Sequence, residues 1–383
     1  MKYCIPDELR GAWERAVAEY DDRGVFFLER EYLAEMNAKT GAFSKTLDSI
    51  LEGAACVAED KDAALYAMFL YCAMEDRRLF LENLPAIEIP EKEFPFLALL
   101  PFVPYIERLY DRLKQSGIPE DVVSATVGHF EVTLFGYAER NGCLGMGKRL
   151  FSFMQKYIDF KILNVGRLFF ELCILKDACM IEHRVTGEQI LFPMSVEMDE
   201  RGLYLGTPPI DEGSHFTAVF KETESSYEGT PVDENGRCKR DVAVFDKSEY
   251  FLRVPFGSTC LSVHIPAGGD LTREACEESY ARAIEIFSQL YPELEFKAFR
   301  CRSWMMSVEL RNILSNGSRV LEFQEPYLKC PCKTDGKDAL YFVFKTQTED
   351  YGSLPENTSL QRALKQIYLS GGCLYEYTGI RAI

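Results

Sequence analysis

The segment from His264 to Thr272 joins a strand pattern to a helix pattern and contains two adjacent glycines, Gly268 and Gly269. Glycine lets the backbone come close to a ligand, and the first N–H groups of a helix attract anions. The segment could therefore bind a phosphate or a diphosphate. An ordinary strand-to-helix turn, in which the glycines only supply positive φ angles, would look the same. The residues alone leave both interpretations open.

A second group of reactive side chains lies between residues 300 and 304, where a strand pattern gives way to a helix pattern. Cys301 and Ser303 are potential nucleophiles, and His264 is a candidate base if the two strands pair in parallel. The sequence identifies no acidic partner for His264. For Cys301 the other interpretation is a buried structural thiol, because free cysteine behaves as a small apolar side chain.

Arg167 and Glu171 form a third group, at the start of an apolar strand pattern. They could simply pair with each other at the edge of a sheet. Alternatively, Arg167 contacts an anion and Glu171 is a general base, which requires a partly desolvated pocket near the substrate proton.

A glycine-rich segment, residues 140–148, superficially resembles a phosphate loop. It matches neither the P-loop nor the dinucleotide-binding pattern, and no clean strand precedes it. We interpret it as a connection between two helices.

The periodicity of apolar residues predicts a helical first part followed by a mixed layer of strands and helices. Helices are predicted over residues 9–20, 43–57, 62–77, 106–114, 146–157, 272–290, 304–314 and 360–368. Strands are predicted over residues 166–175, 216–220, 242–245, 260–265, 294–301, 320–323 and 340–345. The polar span 222–240 is predicted to be an exposed loop. We therefore expect a helical domain, residues 1–125, and an α/β domain with a mixed sheet (α+β), residues 126–383.

Composition narrows the class of partner. The chain has 383 residues, with 43 Lys and Arg against 60 Asp and Glu, which gives a net charge of −17. Such an acidic protein is a poor match for nucleic acid, whose binding requires basic surface. No apolar run approaches the length of a membrane span and no signal segment is recognisable, so we expect a cytoplasmic protein without a membrane partner.

The 13 cysteines and four histidines do not indicate a metal or a disulfide framework. The cysteines are odd in number and mostly stand singly in apolar patterns. The close pair Cys330 and Cys332 lacks a second pair or histidines at a zinc-binding spacing. We expect no metal cofactor.

Four segments taken in order, residues 166–171, 229–236, 261–269 and 301–304, resemble the two-domain bacterial acyltransferase-like family. Its members combine a helical N-acyltransferase N-terminal domain with a GNAT-like C-terminal domain. The resemblance implies a GNAT-type mixed sheet, acetyl-CoA or another acyl-CoA as co-substrate, and a small amine as acceptor. Nothing in the sequence indicates the oligomeric state.

The resemblance also assigns roles to residues. It implies that the CoA diphosphate lies on the backbone that follows His264, with Cys301 on the other side of the cleft. Glu171 and His264 are then candidate bases, and Ser303 is a candidate proton donor to the departing thiolate. The implied CoA-binding residues are Ile265, Ala267, Gly268, Gly269, Asp270, Leu271 and Cys301.

Two departures from the family pattern keep other functions open. The segment after His264 lacks the usual Gln/Arg-x-x-Gly-x-Gly/Ala loop, and the segment after Cys301 supplies no tyrosine as an acid. One alternative is a non-catalytic protein that binds CoA or another ligand through a degenerate GNAT fold. Another is a thiol or serine hydrolase that uses Cys301 or Ser303 with His264.

Overall fold

The computed structural model describes residues 3–20, 24–210, 213–346 and 348–383. The chain divides into two compact units, Met1–Asn164 and Val165–Ile383. Residues 125 and 126, between which the sequence places a domain boundary, lie inside the helix Glu120–Asn141.

The first unit is helical, as the sequence predicts. Two of its helices end at glycines in the left-handed region, Gly41 (φ 64°) and Gly142 (φ 76°), and Asp60 caps another by accepting the N–H of Ala63 at 3.0 Å. The helices are α1 (Arg10–Glu19), α2 (Arg30–Thr40), α3 (Leu47–Glu59), α4 (Lys61–Glu75), α5 (Arg77–Asn83), α6 (Val103–Gln115), α7 (Glu120–Asn141) and α8 (Phe151–Ile158).

The second unit contains most of the strands and three further helices. The helices are α9 (Arg273–Leu290), α10 (Arg319–Gln324) and α11 (Ser359–Leu369). The strands of the chain are β1 (Ile162–Val165), β2 (Leu168–Ile174), β3 (Ala178–His183), β4 (Gln189–Pro193), β5 (Glu197–Met198), β6 (Phe216–Thr217), β7 (Phe220–Glu222), β8 (Ser226–Gly229), β9 (Ala243–Asp246), β10 (Tyr250–Val254), β11 (Thr259–His264), β12 (Ala298–Ser303), β13 (Leu328–Pro331) and β14 (Tyr377–Ala382).

The principal sheet has six strands in the order β1-β2-β11-β12-β14-β13. Strand β1 lies at one edge of this sheet. Between β11 and β12 the pairing is parallel, whereas β2–β11, β12–β14 and β13–β14 are antiparallel. The sheet is therefore mixed, as the sequence predicts.

Helix α9 covers one face of this sheet. Its buried residues recur every three or four positions, and Thr272 caps it by accepting the N–H of Ala275 at 3.2 Å. The Tyr280 ring packs on Phe299 and Phe170 of the strands, with centroids 4.6 Å and 5.9 Å away. Such aromatic contacts bury large apolar areas and hold the helix in place.

A three-stranded sheet, β10-β3-β4, supplies part of the cover on the other face. Its inward residues form one apolar cluster with residues of the principal sheet. The members of that cluster are Leu175, Ala178, Met180, Leu191, Val254, Cys260, Ala298, Cys330 and Ile380. The strands that carry the candidate site are thus anchored from both sides.

Several predicted elements of the second unit are wrong. Residues 320–323 belong to helix α10, and residues 340–344 form the helical turn Leu340–Phe344, where the sequence predicts strands. Residues 304–314 form two short 3₁₀ turns, Trp304–Met306 and Val308–Asn312, rather than one helix. Strands β13 and β14 are absent from the prediction. The span 222–240 is not simply exposed, because Thr230 and Gly236 are buried.

A buried lysine in β13 gives a prediction about stability. Lys329 is 7% exposed, and its Nζ donates to the carbonyl of Gln324 at 2.7 Å. Burial, aided by Arg311, lowers its pKa to about 8. Both folded and unfolded chains bind this proton below pH 8, so the full cost of burying the charge is present at pH 7. Between pH 8 and the ordinary lysine pKa only the unfolded chain binds it, so stability rises with pH there.

We therefore expect K329M to raise the free energy of unfolding at pH 7 by about 1–2 kcal/mol. The relief of a pKa depression costing about 3 kcal/mol outweighs the lost hydrogen bond, worth about 1 kcal/mol. Urea unfolding at pH 7 and pH 10 measures this, and the gain should shrink at pH 10. A variant that is equally destabilised at both pH values would contradict the argument.

Candidate functional site

The principal sheet opens between β11 and β12. These strands pair through Cys260–Ala298, Leu261–Phe299 and Ser262–Arg300, and their mutual register ends there. Beyond this point β11 continues against β2 alone, to His264, and β12 continues against β14 alone, to Ser303. The ends of two neighbouring strands thus leave a gap in the middle of the sheet, which we call the strand gap. The parallel pairing meets the condition under which the sequence makes His264 a neighbour of the residues that end β12.

A histidine and a glutamate meet beside the strand gap. The antiparallel register of β2 and β11 puts Glu171 opposite Ser262, so the Glu171 and His264 side chains emerge on the same face. His264 Nε2 lies 2.9 Å from Glu171 Oε2. The imidazole is 32% exposed and the carboxylate 13%. The structure thereby supplies the acidic partner that the sequence could not identify.

The loop between β11 and α9 adopts the backbone that its glycines allow. Gly268 and Gly269 have φ angles of 75° and 67°, a region that disfavours side chains with a Cβ. No hydrogen bond joins the N–H groups of Ala267, Gly269 or Leu271 to another residue that the structure describes. Three backbone donors at the entrance to α9 thus have no hydrogen-bond partner among the described residues.

Arg167 contacts this loop rather than Glu171. Its guanidinium donates to the carbonyls of Pro266 (3.1 Å), Gly268 (2.7 Å) and Asp270 (3.2 Å). Burial lowers the pKa of Arg167 from its ordinary value. The hydrogen bonds of this guanidinium thus go to loop carbonyls, a partner that neither sequence interpretation included.

Cys301 and Ser303 lie on the opposite face of the sheet from His264. Side chains alternate along β12, so these two follow Phe299 toward α9. Cys301 is 1% exposed, and burial raises its pKa to about 12, with Arg300 opposing the shift. A buried thiol of this kind is a poor nucleophile, which argues against the hydrolase alternative for Cys301. The Ser303 Oγ accepts the N–H of Met305 at 3.0 Å and sits at the end of the strand.

An ion pair that the sequence did not indicate lies at the last paired position before the strand gap. The Arg300 Nε donates to Asp177 Oδ2 at 2.6 Å, and Thr378 donates to the same oxygen at 3.3 Å. Burial alone would lower the pKa of Arg300, but Asp177 raises it. The three residues are far apart in sequence, so no local pattern could have revealed them.

The glycine-rich segment 140–148 connects α7 to α8, as interpreted from the sequence. It is held by Glu91, whose carboxylate accepts the N–H of Lys148 at 2.6 Å. This contact gives the segment a structural role within the helical unit.

The described residues contain neither a candidate metal site nor a candidate membrane-spanning helix. No group of three or more His, Cys, Asp and Glu side chains there is arranged to hold a metal ion. Within the same residues, no helix combines the length and apolar character needed to cross a membrane.

The mixed sheet with a gap beside a strand–loop–helix junction is the architecture of a GNAT-like domain. The family model of the GNAT-like C-terminal domain matches residues 162–381, more than half of the chain, and the chain belongs to that family. No curated protein matches the sequence.

Solved structures extend the likeness over nearly the whole chain. An acyltransferase in complex with decanoyl-CoA aligns with a TM-score of 0.59 and 15% identity, covering 92% of this chain and 88% of its own. An acyltransferase in complex with decanoyl-CoA and teicoplanin aligns at 0.55 and 14%, covering 91% and 99%. A mutant acyltransferase in complex with octanoyl-CoA gives 0.55 and 14%, covering 92% and 99%. At this identity the likeness establishes a shared two-domain fold.

Proposed function

We propose that this protein transfers an acyl group from acyl-CoA to a small amine by direct attack. The observation that carries the proposal is the strand gap, which opens beside a loop whose N–H groups have no partner among the described residues. Backbone N–H groups at a helix N-terminus are suited to a diphosphate, and the gap is suited to a narrow chain such as pantetheine. The solved structures that share this fold hold CoA or its acyl esters.

Each part of CoA is assigned to a part of the strand–loop–helix region. The diphosphate lies on the loop, and the pantetheine arm runs through the gap toward the end of β12. Cys301 contributes through its backbone, because its side chain is buried. The loop residues that contact CoA are Ile265, Ala267, Gly268, Gly269, Asp270 and Leu271.

The reaction uses the pair beside the gap. The amine nitrogen attacks the thioester carbon, the C–N bond forms, and the C–S bond breaks with departure of the CoA thiolate. His264 takes the proton that the amine loses, and Glu171 orients the imidazole through Nε2. The Ser303 hydroxyl, at the end of β12, gives a proton to the thiolate. The proton that His264 has taken is then released to water, from which the serine is reprotonated, so the transfer leaves no net change in protons. No metal takes part in this scheme.

The length of the acyl chain can be determined by assay. The sequence-based expectation is acetyl-CoA, whereas the structural neighbours hold octanoyl- and decanoyl-CoA. A series from acetyl- to decanoyl-CoA should therefore be assayed with a panel of small amines.

Ligand binding should be visible as stabilisation. CoA at 100 times its dissociation constant raises the free energy of unfolding by about 2.7 kcal/mol, so we expect the Tm to rise by several degrees. Adenosine, which lacks the diphosphate and pantetheine, is the control and should give a much smaller shift. No shift with millimolar CoA would overturn the proposal.

A second candidate function is binding of CoA without catalysis. It is favoured by residues 304–314, where the sequence predicts a helix and supplies no tyrosine as an acid, and by the altered loop. Release of free CoA thiol in the presence of amines distinguishes the two. Stabilisation by CoA without thiol release from any acyl-CoA and amine pair would favour the binding protein.

A further inference from the structure

We infer that Arg167 is a positioning residue, which turns the loop carbonyls toward itself so that alternate loop N–H groups face a diphosphate. This inference rests on the proposed function, since it concerns the same loop. It differs from a direct ionic contact because the guanidinium is engaged by the protein's own carbonyls.

The argument begins with the peptide bond. In a planar trans peptide the C=O of one residue and the N–H of the next point in opposite directions. The carbonyls that accept from Arg167 belong to Pro266, Gly268 and Asp270. The N–H groups of Ala267, Gly269 and Leu271 therefore point away from the guanidinium.

This alternation would not persist in a flexible loop. Consecutive left-handed glycines have many accessible conformations, and each would turn a different set of N–H groups outward. A guanidinium has several donors in one rigid plane, so it can hold three carbonyls together. The ammonium group of a lysine is a compact point charge and cannot reproduce that geometry.

The arginine is itself fixed to the helix that the loop precedes. The N–H of Arg167 donates to Ser279 Oγ at 2.8 Å, and that hydroxyl donates to the carbonyl of Ala275 at 2.7 Å. Ser279 is fully buried on α9. Gly166 has a φ angle of 60°, and a Cβ added there would lie 2.6 Å from the Ser279 Oγ. The turn therefore packs directly against α9, with no room for a side chain at this position. The turn, the loop and the start of α9 are thereby linked.

The test compares R167K and R167Q with R78Q, which removes an exposed arginine from the helical unit. Isothermal titration with CoA should show affinity weakened at least tenfold in both Arg167 variants and unchanged in R78Q. Acetyl-pantetheine, which has no diphosphate, should bind the wild type and R167Q equally. An R167K protein that binds CoA as tightly as the wild type would overturn the inference, because charge alone would then suffice.

A second measurement does not depend on CoA. Crystal structures of ligand-free wild-type and R167Q proteins should show the carbonyls of Pro266, Gly268 and Asp270 in different directions. Unchanged carbonyl directions in R167Q would overturn the inference even if CoA binds the wild type. Failure of the wild type to bind CoA would instead count against the proposed function, so the two failures are distinguishable.

Discussion

H264A is expected to lower kcat for acyl transfer by about 10²-fold to 10⁴-fold, the usual contribution of a general base. His264 is the more exposed member of its pair with Glu171, and it is the final residue of β11, two positions beyond the last residue paired with β12. An acceptor amine that attacks a thioester in the gap must lose a proton. The imidazole is positioned to accept that proton, so the substitution should lower kcat more than it lowers the affinity for CoA.

The measurement is steady-state thiol release together with CoA titration for each variant. H215A is the matched control, because His215 is exposed and its ring lies 3.7 Å from Glu197 rather than near the gap. That variant should retain wild-type kcat. An H264A protein with wild-type kcat would exclude His264 as the base.

Substitutions at Glu171 show whether this carboxylate orients His264 or acts as the base itself. If its carboxylate accepts Nε2–H of His264, the imidazole accepts at Nδ1. In E171Q, the carboxamide can donate to Nε2 and favour the opposite tautomer, as happens when an orienting aspartate is changed to asparagine in a catalytic triad. In E171A, the carboxylate that contacts Nε2 is removed, so the side chain at position 171 favours neither tautomer of the imidazole.

We therefore expect E171Q to have a lower kcat than E171A. If Glu171 itself removes the proton, both variants should be equally inactive, and H264A should be less damaged than either. The order of the three kcat values thus decides which residue is the base, while unchanged CoA affinity in all three shows that the donor site is intact.

The strand–loop–helix of the site could be predicted because its signals are local. A short run of mostly apolar residues, buried on both faces, marks β11. The adjacent glycines mark the loop, and Thr272 with the stripe of buried residues marks α9. Each signal lies within a few residues of the structure it specifies. The structure confirms these elements within a few residues of their expected bounds.

The errors fall where short apolar segments take their structure from distant partners. Val320 and Phe323 favour a strand, yet they belong to α10, which packs against α9. Leu340 and Phe344 are buried in one apolar cluster from a helical turn, a pattern that a short strand could equally show. Strand β14 gains its place inside the sheet, next to the edge strand β13, only by pairing with β12 and β13.

The sequence identifies several residues of the site but not the contacts between them. Residue type alone identifies Glu171 and His264 as separate candidates. Their contact depends on the register of β2 and β11, and the two residues are 93 positions apart in the sequence. Arg167 reaches the loop across a similar separation. Side-chain partners of this kind are decided by tertiary packing, which no local pattern specifies.

D177A is expected to lower the free energy of unfolding by about 3 kcal/mol, because it leaves the Arg300 guanidinium largely buried without its carboxylate. The Arg300 side chain is 18% exposed and that of Asp177 is 25% exposed. Removing one member of a buried pair costs more than removing both, since the isolated charge keeps its desolvation penalty. The double variant D177A/R300M should therefore be more stable than D177A alone.

A double-mutant cycle by urea unfolding measures the coupling between these two residues. If water screens the pair, D177A should cost less than about 1 kcal/mol and the two substitutions should be additive.

A large coupling between Asp177 and Arg300 would also affect CoA binding. Arg300 is at the last paired position before the strand gap, so losing Asp177 should allow the end of β12 to move and weaken CoA binding as well. R300M combined with D177A should then recover stability while leaving CoA affinity reduced, because the ion pair fixes the edge of the gap and not only the fold.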